Sequence, residues 1–147
     1  MKKRRKSKII LLLVSAVCLI ITVCIILGVR FVNAEFRYNF DVMFNCDDTH
    51  YSYLTIEDGT EITEVMLPLP ASTTLAFRHS DSAATYYSKL TYEEFLEYYS
   101  RAGYQIEGTS VYIEDSVFLI SDVSDEMDGE WKYYFIDIAL ILTSSRS

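Results

Sequence analysis

The stretch IILLLVSAVCLIITVCIILGV, residues 9–29, contains no charged side chain. It includes Ser15 and Thr22, and a helix can satisfy both hydroxyl groups against its own backbone. At about 1.5 Å of rise per residue, such a helix measures about 31 Å, close to the roughly 30 Å hydrocarbon core of a bilayer. The stretch predicts one transmembrane helix, preceded by a basic cytoplasmic tag at residues 1–8 and followed by a domain at residues 30–147.

Charge differs sharply between the two sides of this stretch. Residues 1–34 carry seven basic and no acidic side chains, whereas the remaining 113 carry six basic and all 21 acidic ones, a net charge of -15. Cations next to a membrane span favour the cytoplasmic side, so we predict a cytoplasmic N-terminus and an external domain at the plasma membrane. The acidic domain should repel nucleic acid and favour basic partners, although solubility alone also explains its charge.

A retained anchor and a cleaved signal sequence are both compatible with this N-terminus. Val32-Asn33-Ala34 offers small or short residues where a signal peptidase reads, with Gly28 upstream as a helix breaker, so cleavage before Glu35 would give a secreted protein. Signal sequences have apolar regions of about 7–15 residues, and this one is longer. Arg30 also lies before the cleavage position. We therefore favour the retained anchor and keep a secreted carrier or inhibitor as the alternative.

The cysteines indicate a domain without an internal disulfide framework. Cys18 and Cys24 lie in the apolar stretch and are interpreted as small hydrophobic residues, which leaves Cys46 alone outside it. An external domain without disulfides suits a bacterial surface. The layout resembles that of small single-pass proteins of Gram-positive bacteria, a likeness that implies no functional residue.

The external domain is predicted to be α+β, an antiparallel sheet of five to seven strands with one packed amphipathic helix. Glu35–Phe44 alternates between apolar and polar residues, which predicts a half-buried strand, and Tyr51–Ile56 is expected to return beside it. Further strands are expected at 62–67, 73–79, 83–89, 104–107, 111–114, 117–123 and 131–142. The last is apolar on one face and largely apolar on the other, as a central strand is, and a turn at Asp128-Gly129 should join it to 117–123.

The helix of this domain is predicted from its ends. Thr91 and Glu94 form a capping box, and Gly103 marks the C-terminal end. Glu97 and Arg101 are spaced as an ion pair in the favourable order. The apolar stripe consists of Tyr92, Phe95, Leu96, Tyr99 and Ala102.

Two sequence segments invite comparison with metal sites. Ser124–Gly129 resembles part of a calcium loop, but Ser124 and Phe135 stand where such a loop needs an acid and a glutamate. A looser cation contact would involve Asp122, Asp125, Glu126, Asp128 and Glu130, although a solvated acidic tip is favoured. The turn with Cys46, Asp47, Asp48 and His50 lacks the second ligand pair of a structural zinc site.

Catalytic signatures are equally weak. The Cys46 and His50 spacing is no nucleophile signature, and His79 is interpreted as an edge residue rather than a general base. The sequence has no glycine-rich phosphate loop, nucleophile elbow or HExxH motif. We therefore predict no catalytic, cofactor or metal site, no small-molecule ligand, and a non-enzymatic interaction module with a protein partner at the outer membrane face. A hydrolase with an unrecognised site is the alternative.

Tyrosine is abundant, with 12 residues that include the adjacent pairs Tyr86-Tyr87, Tyr98-Tyr99 and Tyr133-Tyr134. Neighbouring residues of a strand point to opposite faces, so the two rings of a strand pair should lie on different faces. Core packing is the favoured interpretation, and a tyrosine-bearing binding surface is the alternative.

Overall fold

A computed structural model of the chain describes residues 2–44, 51–58 and 61–143. The chain forms two compact units, Met1–Arg37 and Tyr38–Ser147. In chain order the elements are α1 (Lys2–Val32), α2 (Ala34–Phe44), β1 (Tyr51–Asp58), β2 (Glu61–Pro68), β3 (Thr73–Arg78), β4 (Ala83–Ser88), α3 (Tyr92–Arg101), β5 (Gln105–Glu107), β6 (Ser110–Ile113), β7 (Ser116–Asp122), a 3₁₀ turn (Ser124–Glu126) and β8 (Tyr134–Thr143). The fold is α+β, with antiparallel sheets.

Helix α1 contains the apolar stretch, and its segment Ser7–Val32 is long and apolar enough to cross a membrane, by length and composition. The Thr22 hydroxyl donates to the backbone carbonyl of Cys18 at 2.9 Å, as expected for a hydroxyl satisfied within its own helix. The helix continues through Gly28, so the interpretation of that residue as a helix breaker is wrong. One glycine in a helix interior costs only about 1 kcal/mol, which a long apolar helix tolerates.

Element α2 is a helix, so the prediction of a strand at Glu35–Phe44 is wrong. Apolar residues at every second position also include pairs four residues apart, which a helix places on one side. Tyr38 and Val42 are such a pair, and both are buried in a cluster with sheet residues. The Asn33 side chain accepts a hydrogen bond from the backbone N–H of Phe36 at 3.1 Å, as an N-cap residue does. Capping and tertiary packing together select the helix.

Strands β3 to β8 form one antiparallel sheet in the order β3-β4-β8-β7-β6-β5. Its six strands fall within the predicted five to seven, but the prediction of a single sheet with one packed helix is wrong, because β1 and β2 form a separate sheet and α2 packs as a second helix. Strand β8 lies between β4 and β7, which confirms the prediction of a central strand. This strand begins at Tyr134 instead of Trp131. The predicted pairing of β7 with β8 is confirmed, but residues 123–133 form the connection in place of a tight turn at Asp128-Gly129.

The sheet's first face, defined as the side that carries Ala84, Tyr86, Ile136, Ile138 and Leu140, is covered by a hairpin and a helix. Leu54 and Leu67 of the β1–β2 hairpin pack in the same cluster as Phe95 and Tyr99 of α3. Among the described strands, β1 pairs only with β2, and residues 34–44 form a helix, so the expected pairing of β1 with residues 35–44 is wrong. Full burial of one such side chain stabilises the folded state by about 1.5–3 kcal/mol. This cluster is the larger of the two and is therefore the main core.

Helix α3 has the predicted ends. The Thr91 hydroxyl accepts from the backbone N–H of Glu94 at 3.3 Å, and the Glu94 carboxylate accepts from the backbone N–H of Thr91 at 2.9 Å. Gly103 follows the C-cap with a φ of 89°, a conformation that glycine adopts without strain. Arg101 and Glu97 form the expected ion pair, with Nη2 and Oε1 at 2.6 Å.

The second face of the sheet carries an aromatic cluster that includes Tyr87 and Phe135, with Tyr38 and Val42 of α2 packed on them. Tyr86 lies on the first face, so adjacent tyrosines do occupy opposite faces, and both are almost fully buried. Away from this cluster the second face is more open, and side chains such as Leu119 and Ile141 remain exposed.

Candidate functional site

The β1–β2 hairpin has one buried side and one exposed side because successive strand residues point in opposite directions. Leu54 and Leu67 lie on the buried side. The exposed side carries Tyr51, Tyr53, Ile62 and Met66, whose exposed fractions are 41%, 49%, 72% and 50%. Exposed tyrosine and methionine are typical of protein-binding surfaces.

Two buried tyrosine hydroxyls hold this hairpin on the core. Tyr99 of α3 donates to the backbone carbonyl of Pro68 at 2.7 Å, and Tyr86 of β4 is hydrogen-bonded to the Ser52 hydroxyl. Burial raises the pKa of Tyr99 well above its usual value of 10.0, and the neighbouring Tyr98 adds to this shift. Burial also raises the pKa of Tyr86, although its bond with Ser52 opposes the shift. Both hydroxyls therefore stay neutral at physiological pH.

The outer edge of β1 is bound by residues around the β3–β4 turn. Arg78 Nη2 donates to the Tyr53 carbonyl at 2.9 Å, and the backbone N–H of Thr55 donates to the Asp81 carbonyl at 2.8 Å. On the other side of the hairpin, β2 pairs with no described strand other than β1. Within the part of the chain that the structure describes, the hairpin therefore has one bound edge, at β1, and one unpaired edge, at β2.

A cleft of about 720 Å³ lies beside β2. Its lining residues include Glu64, Val65, Tyr104, Ile113, Glu114 and Asp115. Among the described residues, three carboxylates and no lysine or arginine line it. The cleft therefore combines an apolar wall with an acidic rim, an arrangement that favours an extended ligand carrying positive charge.

Glu114 and Asp115 reach this rim through a tight turn between β6 and β7. Ile113 pairs with Ser116, so these two acidic residues alone connect the strands. Glu114 adopts a φ of 52°, in the left-handed region that residues other than glycine seldom occupy. A glutamate at this position therefore costs conformational energy, and it places an exposed carboxylate beside the cleft.

A separate polar group lies on the second face, where His79 follows the edge strand β3. His79 Nε2 is 2.8 Å from Thr85 Oγ1 and 3.2 Å from Asp137 Oδ1, and the Thr85 hydroxyl donates to the same Asp137 oxygen at 2.9 Å. A nucleophile–histidine–acid triad uses the two ring nitrogens for different partners, whereas here one nitrogen faces both. Thr85 is also fully buried. The arrangement satisfies polar groups of a cross-strand pair and differs in this geometry from a catalytic triad.

The acidic loop before β8 covers the aromatic cluster of the second face. Trp131 packs against Phe135 with ring centroids 4.8 Å apart, and its indole N–H donates to the Asp128 carbonyl at 3.0 Å. Gly129 permits this path with a φ of 108°. The Asp122 carboxylate accepts from a backbone N–H within the loop, at 2.9 Å. The backbone of the loop therefore has a structural role, while its carboxylates at Asp125, Glu126, Asp128 and Glu130 are exposed.

The remaining sequence candidates, Cys46, Asp47, Asp48 and His50, lie outside the described residues. Within the part of the chain that the structure describes, no three histidine, cysteine, aspartate or glutamate side chains converge as metal ligands would. Comparison of the chain with known protein families, with curated proteins and with solved structures finds no match.

The cleft beside β2 is not apparent from the sequence. Its two walls come from β2 and from the β6–β7 turn, which are far apart along the chain and meet only in the folded domain. The sequence does contain one local indication of a binding surface at this hairpin. Tyr51 and Tyr53 fall on the same side of β1, and β2 has no lysine of the kind that protects a sheet edge.

Proposed function

We propose that the chain is a membrane-anchored protein whose acidic domain, outside the cytoplasm, binds a protein partner at the outer face of the plasma membrane. The observation that carries the binding role is the exposed side of the β1–β2 hairpin, where two tyrosines, an isoleucine and a methionine face solvent next to an acidic cleft. Such side chains are enriched at protein interfaces, and the rim of carboxylates supplies specificity for a basic partner.

The anchoring role is supported by α1. Its large apolar side chains from Ile9 to Val29 have exposed fractions between 38% at Ile26 and 71% at Leu11. Each would gain about 1.5–3 kcal/mol on leaving water, so a helix of this kind favours a bilayer strongly. The six cations before the stretch and the acidic domain after it favour a cytoplasmic N-terminus.

A retained anchor is also supported by α2. The Ala34–Glu35 bond, where cleavage would occur, lies in the first turn of this helix, and proteases prefer exposed irregular segments. We expect the intact mass of the protein from membranes to equal that of the full chain. A mature protein that begins at Glu35 would overturn the anchor and leave the secreted alternative.

Topology can be tested with matched cysteine variants in a Cys46→Ser background. We expect a membrane-impermeant maleimide to label Ser100→Cys, an exposed α3 position, in intact cells. The control Ser7→Cys, in the basic segment, should be labelled only after the cells are permeabilised. The opposite pattern would contradict the proposed orientation.

Partner binding can be tested by photo-crosslinking in intact membranes. A photoreactive amino acid at Tyr53, on the exposed side of the hairpin, should give a reproducible crosslink to one partner protein. The matched control is the same amino acid at Ser100, on the solvent side of α3. Equal or absent crosslinking from the two positions would count against a binding role for the hairpin.

A further inference from the structure

The open edge of β2 offers a defined set of backbone groups, which follows from the register of the hairpin. In an antiparallel pair, directly opposite residues either bond to each other or both point away from each other. Tyr53 is opposite Met66, and Thr55 is opposite Glu64. Since the Tyr53 carbonyl and the Thr55 N–H bond to residues outside the hairpin, the backbone groups of Met66 and Glu64 point outward from β2.

By the same alternation, the backbone groups of Ile62 also point outward from β2, and Pro68 is the last outward-pointing residue of the strand. Ile62, Glu64 and Met66 each present an N–H and a C=O group, and the row spans about 14 Å at about 3.4 Å per residue. Pro68 is next in the alternation and has no N–H to offer, as is usual for proline at a strand edge. The row can therefore pair with a strand of about five residues.

The described edges of the six-stranded sheet are less suitable for pairing. Strand β5 has three residues, and β3 is interrupted by a bulge between Leu75 and Phe77. Natural sheet edges are commonly protected by short strands, bulges or lysine. Strand β2 has eight residues and regular pairing with β1, and its sequence EITEVMLP contains no lysine. Among the described strands it is therefore the most complete template for an added strand.

We infer that β2 accepts an extended basic segment of the partner protein as an additional strand, with alternate side chains of that segment in the 720 Å³ cleft. This inference rests on the proposed function and names its binding site. One set of side chains would contact Val65 and Ile113, and the other would lie beside Ile62 and Glu64 on the exposed side. Backbone hydrogen bonds supply affinity and alternate side chains supply specificity in this mode of recognition.

The acidic charge around the cleft favours a basic segment over a second copy of the chain as the added strand. The cleft is lined by Glu64, Glu114 and Asp115, and the 113 residues after Ala34 carry a net charge of -15. Edge-to-edge pairing of two copies would bring two acidic surfaces together, and like charges opposite each other destabilise a sheet. A basic segment instead gains a favourable cross-strand pair with Glu64 and complements the rim.

The test uses the full chain in lipid nanodiscs and a short peptide of alternating lysine and valine as the probe. We expect the unmodified peptide to bind, and a version N-methylated at alternate amides to bind about tenfold or more weakly, because it cannot pair. A peptide with glutamate in place of lysine should not bind. Equal binding of the methylated and unmodified peptides would overturn strand addition.

Matched variants of the chain locate the site. Met66→Pro removes one outward N–H, which bonds nothing within the hairpin, and should weaken the peptide about tenfold. Met66→Ala, which keeps that N–H, should bind the peptide more tightly than Met66→Pro does, and Glu93→Ala, on the exposed side of α3, should bind as the original chain does. Glu64→Lys should weaken binding at low salt and lose its effect at high salt. If Met66→Pro does not fold, the comparison of the two peptides on the unaltered chain still decides the question.

Different crosslinking results would contradict strand addition at β2 and partner binding by the domain. A photoreactive amino acid at Ile62 should crosslink the same partner as one at Tyr53, and the methylated peptide should not compete with that partner. A partner crosslinked from Tyr53 but unaffected by Met66→Pro and by the unmodified peptide would overturn strand addition and leave the proposed function standing. A crosslink from Ile62 to a second copy of the chain would also overturn it. No partner from either position would overturn the proposed function itself.

Discussion

The two faces of the six-stranded sheet are covered to different extents. The first face is covered by the β1–β2 hairpin and by α3, which together bury a continuous apolar cluster. The second face has α2 and the loop before β8 over its aromatic cluster, while side chains such as Leu119 and Ile141 stay exposed. The first face therefore contributes more to the stability of the domain. We expect substitutions there to lower the free energy of unfolding more than substitutions on the second face, which should instead change the emission of Trp131.

The largest effect is expected for Phe95→Ala, at the centre of the first face. Phe95 is fully buried, so the variant loses apolar contacts and leaves a cavity, which should lower the free energy of unfolding by about 3–5 kcal/mol. Urea denaturation of the full chain in micelles, followed by near-ultraviolet circular dichroism, measures this. Glu93→Ala on the exposed side of the same helix is the control. A loss below about 1 kcal/mol for Phe95→Ala would contradict the assignment of the main core.

A smaller effect is expected for Val42→Ala on the second face. Val42 of α2 is fully buried, and the loss of two methyl groups should cost about 2 kcal/mol. Trp131 lies in the same cluster and is the single tryptophan of the chain, so its emission should shift to the red. Met43→Ala, at an exposed position of α2, should leave the emission unchanged. Identical emission in both variants would show that α2 does not cover this face.

Tyr99→Phe should cost about 1–2 kcal/mol at neutral pH, because it leaves the Pro68 carbonyl without its donor. It should also alter the alkaline behaviour. Burial raises the pKa of Tyr99 in the folded state above the unfolded value near 10, so stability is fully present below about pH 10 and falls as the pH rises toward the folded value. The difference between the urea midpoints of Tyr99→Phe and the unaltered chain should be smaller near pH 11 than at pH 8. A constant difference between the two proteins would contradict this linkage.

Thr91→Ala should cost about 1 kcal/mol, since it removes the side chain that accepts from the Glu94 N–H at the start of α3. Thr91→Ser keeps the hydroxyl and should restore most of the stability. The free energy of unfolding should fall for the alanine variant without a shift in Trp131 emission, because the capped helix covers the first face. A red shift of that emission would mean that the two faces are strongly coupled.

The smallest effect, a gain, is expected for Glu114→Gly at the rim of the cleft. Glycine adopts the φ of 52° without the strain that glutamate has, so stability should rise by about 0.5–1 kcal/mol. Glu114→Gln keeps the strain and removes the charge, so it should not show this gain. Equal midpoints of thermal unfolding for the glycine and glutamine variants would remove the argument from backbone strain.

Some elements could be predicted from local sequence because local physics decides them. The ends of α3 follow from Thr91, Glu94 and Gly103, whose capping interactions involve near neighbours. The central position of β8 follows from apolar residues on both of its faces. The helix at Ala34–Phe44 could not be predicted in this way, since its alternating apolar residues fit both a strand and a helix.

Local sequence specifies the apolar helix α1, the charge asymmetry around it, the capped helix α3 and the α+β class, because each depends on composition or on contacts within a few residues. Three other features are known only from the folded domain: α2 is a helix, β1 pairs with β2, and the β2 edge faces an acidic cleft. Those features depend on contacts between residues distant along the chain, such as Tyr38 with Tyr87 and Tyr99 with Pro68. Local sequence does not specify such contacts, since many arrangements bury similar apolar area and the packing of the whole domain selects among them.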